Sequence, residues 1–146
     1  MFSIKDISEY IVALIAAFAS HYSMTEIEAY QYLNQYGAIK IAHDFYDVMH
    51  TQPFDDMVKS MASYCHLKGG QLWLNSIMGQ LNVTQQEFRY LKNQVTARMI
   101  QILTEEQGLS LEDAIDRVYT SPIYEKLCNS STGLFFQSPR YILSYL

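Results

Sequence analysis

The chain has 146 residues, a formal charge of −5 and a pI near 5.2, so it is one domain or two small modules. That charge excludes a nucleic-acid binder that works by neutralising phosphates, and a hydrophobic fraction of 49% excludes a disordered acidic tail. Only 17% of residues are charged while Tyr occurs 12 times, so much aromatic surface has to be buried somewhere.

Ile7, Tyr10, Ile11, Leu14, Ile15 and Phe18 recur at helix spacing and predict a helix from Lys5 to His21 burying one stripe. The apolar run from Tyr10 to Ala19 is too short to span a bilayer. Ala17-Phe18-Ala19 imitates a signal cleavage site, but Lys5 is answered by Asp6 and Glu9, the wrong flank for secretion. A cytoplasmic protein with no membrane segment is therefore expected. Thr25 starts a second helix with a capping box to Glu28, Ala29, Leu33 and Tyr36 follow at helix spacing, and Gly37 stops it. One short helical stretch then carries Ile39, Ile41, Phe45 and Val48. Pro53 opens the next helix, with Phe54, Met57, Val58, Met61 and Tyr64, and Gly69-Gly70 ends it.

Residues 71–82 hold the single Trp and read as a connection. A long helix from Thr84 to Gln107 places Phe88, Leu91, Val95, Met99, Ile102 and Leu103 on one stripe, with Arg89, Lys92 and Arg98 on a solvated face. Gly108 terminates it. Ser110 caps another helix as Thr25 does, with Asp113 three residues on, and Pro139 opens a closing helix with Tyr141 and Tyr145.

The sequence repeats itself weakly. Met24-Thr25-Glu26-Ile27-Glu28-Ala29 lies over Leu109-Ser110-Leu111-Glu112-Asp113-Ala114, and Pro53 and Pro139 fall at nearly the same later position. Two related helical units, 1–70 and 83–146, are expected, packed as an all-α bundle of about seven or eight helices. No sheet is expected beyond a short pairing near Leu134.

Candidate chemistry is sparse. On a continuous helix His43, Asp47 and His50 would share a face and offer two imidazoles and a carboxylate to a divalent metal. The helix end at Gln52-Pro53 favours local capping and pairing for these residues instead. Cys65 and His66 are adjacent, so they point about a third of a turn apart and form no thiolate–imidazole pair. Cys65 and Cys128 make no CxxC motif and suit a reducing compartment. Gly69-Gly70 lacks the context of a phosphate cradle. No catalytic residue, metal or cofactor is expected. The aromatic residues are more telling. Tyr30, Tyr32 and Tyr36 crowd one short helix, and Phe135, Phe136 and Tyr141 load the C-terminus, so these six are the expected partner-binding residues.

Phe45-Tyr46-Asp47-Val48-Met49-His50-Thr51, followed by a helix ending Tyr64-Cys65 and by Gly69-Gly70, resembles a family of small bacterial helical proteins of unknown function. The second half resembles it in a related form, through Leu109–Ala114, Val118-Tyr119-Thr120-Ser121, Tyr124-Glu125-Lys126-Leu127 and Thr132–Pro139. Family members are usually encoded beside an ADP-ribosyltransferase-like toxin gene. The resemblance thus implies a companion of such an enzyme, of the antitoxin or inhibitor type, here with two usually separate units in tandem. Two function classes stand side by side. One is a non-enzymatic protein-binding module, with a homodimer also open to it. The other is a small metal-dependent or thiol enzyme built on His43, Asp47, His50 and Cys65.

Overall fold

A computed structural model describes residues 2–70 and 83–146; the connection expected at 71–82 lies outside them. The described residues are all-α, with no strand. In chain order the helices are α1 (Ile4–His21), α2 (Glu26–Gln35), α3 (Ala38–Asp44), α4 (Tyr46–Met49) and α5 (Phe54–Leu67), then α6 (Val83–Gln107), α7 (Leu111–Tyr119), α8 (Pro122–Leu127) and α9 (Pro139–Leu143). Single 3₁₀ turns at Ser130–Thr132 and Leu134–Phe136 fill the segment before α9, the one place where the sequence left room for a short pairing. No single helix among the described residues is long and apolar enough to cross a membrane. By compactness the described residues divide into an N-terminal unit of Phe2 and 10–70 and a C-terminal unit of Ser3–Glu9 and 83–146.

In the N-terminal unit, α1 buries Ile11, Leu14, Ile15 and Phe18 as its spacing dictates. Val12, Ala16 and Ala19 are buried as well, so the apolar face is wider than the single stripe expected. The start of α2 is fixed locally. The Glu28 amide donates to Thr25 Oγ1 at 3.1 Å while the Thr25 amide donates to the Glu28 carboxylate at 2.8 Å, which satisfies two orphan donors. Gly37, at φ +79°, reverses the chain between α2 and α3, a conformation that other residues adopt at a cost.

The single stretch expected from Ile39 to Val48 is two helices. Phe45, at φ −114° and ψ 24°, leaves helical geometry and separates α3 from α4. The break lets α4 turn Tyr46 and Met49 inward, where the Tyr10 hydroxyl donates to the Met49 carbonyl at 3.2 Å. Pro53 immediately precedes α5, Asp55 and Asp56 sit in its first turn where the helix dipole favours carboxylates, and Val58, Met61 and Cys65 face the core. At its far end the Gly70 amide donates to the Cys65 carbonyl at 2.8 Å. A Cβ on Gly70 would lie 2.5 Å from the Tyr32 hydroxyl and 2.9 Å from that carbonyl, so the packing there admits only glycine.

In the C-terminal unit the inward face of α6 keeps Met99, Ile102 and Leu103 of the expected stripe and adds Lys92, Thr96 and Ile100, whereas Leu91 and its neighbour Tyr90 are exposed. Lys92 therefore does not belong to a solvated basic face. Its ammonium is drawn in on a long apolar stem, and burial lowers its pKa to about 8. Leu111, Ala114, Ile115, Val118 and Tyr119 make up the inner face of α7. Ser110 Oγ accepts from the Asp113 amide at 3.1 Å, but the reciprocal arm seen at Thr25 is absent, since Asp is one methylene shorter than Glu. Ser121 and Ser138 cap α8 and α9 in the same one-armed way, each followed by Pro in the first turn. Arg140 grips Glu106 with both guanidinium nitrogens and so ties α9 to α6.

Candidate functional site

The helix α4 has four residues, too few to bury more than one side. Tyr46 and Met49 take the inner side, and Phe45 and Val48, three residues apart, are left on the outer one at 53% and 57% exposure. Behind them the rings interlock. Tyr46 stacks on His50 with centroids 4.6 Å apart, Phe2 meets both edge-on, and Tyr10 joins Tyr46 to Phe54 at 5.3 Å on either side. His50 Nδ1 lies 2.7 Å from the Tyr46 carbonyl and acts as donor to it. Burial of the Tyr10 hydroxyl raises its pKa. Phe2 and Phe54 are themselves 44% and 40% exposed, so two rings of this network reach water, as do Phe45 and Val48 on the outer side of α4.

Phe2, Phe45, Val48 and Phe54 were not among the expected partner-binding residues. The signal that could have revealed them is the short distance between Phe45 and Pro53. A helix confined there cannot cover two apolar residues on its outer side.

The expected residues divide. Tyr30 is 2% exposed, inward on α2 with Ala29 and Leu33, so it belongs to the core and not to a surface. Tyr32 and Tyr36 are half-buried and meet edge-on at 5.1 Å. The Tyr32 hydroxyl is shut in against Gly70, and burial pushes its pKa up to about 12. Its ring faces an open groove of about 530 Å³ lined on α5 by Lys59, Ser63 and His66. In the C-terminal unit Phe135 is half-buried between Phe88 and Phe136, at 4.9 and 4.1 Å. Phe136 is 74% exposed, and Tyr141 is exposed with its hydroxyl 3.1 Å from that of Tyr145.

The polar candidates do not form the face that a continuous helix would give. His43 is on α3 and Asp47 on α4, on opposite sides of the Phe45 break, while His50 is engaged by Tyr46 and Phe2. Cys65 is fully buried and His66 exposed, with His66 Nδ1 3.3 Å from the Gly70 carbonyl. Burial pushes the Cys65 thiol up to about 11 and raises Cys128 as well, the opposite of what a thiolate nucleophile needs. In the C-terminal unit Tyr119 and Tyr124 lie 4.6 Å apart, and the buried Tyr124 hydroxyl and Cys128 thiol hydrogen-bond near Lys92. Lys92 is a feature the sequence reading missed, because a charged residue at a helical position signals solvent by default.

Residues 9–68 match the model of a family described as a protein of unknown function, DUF3791. The match supports an uncharacterised domain family over the segment that holds α4. No curated protein and no solved structure matches the chain.

Proposed function

We propose that this chain is a non-enzymatic protein-binding module of the antitoxin or inhibitor type, whose partner is an ADP-ribosyltransferase-like enzyme of the cytoplasm. The observation that carries the binding role is the exposure of Phe45 and Val48 on α4 and of Phe2 and Phe54 in the ring network. Soluble chains rarely leave large apolar side chains clustered in water unless something docks on them. In this reading the exposed Phe136 and Tyr141 give the C-terminal unit a second contact, and linked contacts reinforce one another through effective concentration. Neither contact calls for a metal or cofactor. The identity of the partner rests on the resemblance of both halves to proteins encoded beside such enzymes.

The test is co-expression with the neighbouring gene product, followed by affinity capture and a growth-rescue assay. The wild-type chain should co-purify and relieve toxicity. Phe45→Ser and Phe136→Ser should each weaken binding by about 2 kcal/mol, the scale of a central anchor. Failure of the wild-type chain both to bind and to rescue sinks the inhibitor reading.

A further inference from the structure

The segment that carries the α4 surface is net acidic. Residues 40–59 contain four aspartates, Asp44, Asp47, Asp55 and Asp56, against two lysines, Lys40 and Lys59. All four are exposed. Asp44 is held by Lys40 at 2.8 Å, whereas Asp47, Asp55 and Asp56 make no ion pair among the described residues. Asp47 lies between the exposed Phe45 and Val48 in sequence, and Asp55 and Asp56 directly follow the exposed Phe54. Exposed carboxylates thus adjoin the exposed apolar residues in the chain and outnumber the two lysines of the segment.

That negative balance selects among occupants. An anionic membrane or a nucleic acid would be repelled by it. A second copy docking through the same face would set aspartates against aspartates across the two-fold axis. We infer that the α4 surface receives a Lys- or Arg-rich amphipathic segment of a partner protein, whose apolar residues cover Phe45 and Val48 while its cations meet Asp47, Asp55 and Asp56. This inference rests on the protein-binding reading and adds the chemistry of the partner to it. Complementary charge of this kind speeds encounter and excludes wrong partners, while the apolar contact holds the complex.

The experiment uses the full chain and three labelled synthetic helical peptides that share one apolar stripe and carry Lys, Gln or Glu at the flanking positions. Fluorescence anisotropy is measured at about 50 mM and about 300 mM NaCl, between which the screening length shortens about 2.4-fold. The Lys peptide should bind about tenfold tighter than the Gln peptide at low salt and lose most of that advantage at high salt. Phe45→Ser with Val48→Ser should abolish binding. Asp47→Asn, Asp55→Asn and Asp56→Asn together should erase the preference for Lys and leave the helical circular dichroism intact.

Equal binding of the Lys and Gln peptides overturns the charge inference. So does binding of none of them, binding to phosphatidylcholine vesicles in their place, or a sedimenting dimer that Phe45→Ser dissolves. The co-expressed partner separates the two levels of argument. Capture that Phe45→Ser abolishes but the triple Asn variant leaves unchanged keeps the protein-binding reading and removes the cationic segment.

Discussion

In the C-terminal unit Tyr119 and Tyr124 lie with ring centroids 4.6 Å apart and almost no exposed surface. In the N-terminal unit Tyr46 and His50 lie at the same separation, yet the residues on either side of Tyr46 in the chain are exposed. The pairs share a separation, though Tyr46 and His50 stack at 14° and Tyr119 and Tyr124 tilt at 48°; their surroundings differ more. Tyr124 sits on α8 among Ile123 and Leu127, and the neighbouring α7 supplies five more buried residues. Tyr46 sits on a helix of four residues whose outer side, Phe45 and Val48, is exposed. An aromatic pair therefore reads as core or as the base of a surface according to the length of the element that carries it.

The largest effect that would break this contrast is expected at Tyr124. Replacing it with Ala should cost about 3–5 kcal/mol in urea denaturation, as for other large buried side chains. A loss no larger than that of an exposed residue would mean that Tyr124 is not core. Gly70→Ala should cost about 1–3 kcal/mol, because the added methyl meets the Tyr32 hydroxyl and the Cys65 carbonyl. The measurement is the thermal midpoint, and an unchanged midpoint would show that α5 closes differently.

Lys92→Met should act in the opposite direction, stabilising the chain by about 1–2 kcal/mol at pH 7 by removing a buried charge. The folded pKa near 8 lies below the ordinary 10.5, so between these values the unfolded state binds the extra proton and this group makes stability rise with pH. The gain from Met should shrink accordingly between about pH 8 and pH 10. Urea midpoints of both proteins at two pH values check the sign. Smallest of all is Phe45→Ala, which should change stability by less than about 0.5 kcal/mol while weakening partner capture. A large loss of stability there would erase the distinction between the two ring pairs.

Local features were legible in the sequence. The capping box at Thr25, the prolines at 53 and 139 and the glycine at 37 act within a few residues, so their chemistry can be read from the chain alone. The break at Phe45 has no such mark: neither Gly nor Pro is present, and the kink follows from the inward packing of Tyr46 and Met49. Tyr30 and Tyr32 are two positions apart on one helix, and only the tertiary direction of α2 decides that one is core and the other half-exposed. Lys92 shows the same limit in reverse, since its burial beside Cys128 is set by tertiary packing.

A helix as short as α4 does not persist on its own in water, because nucleation outweighs the few bonds that one turn supplies. Phe45 and Val48 keep their spacing only while the His50 amide stays bonded to the Tyr46 carbonyl and Tyr10 holds Met49. Local opening of this turn is expected to be readable as amide exchange at His50. Anything that docks on the outer side of α4 has to close that opening, so protection at His50 reports occupancy without any label on the partner.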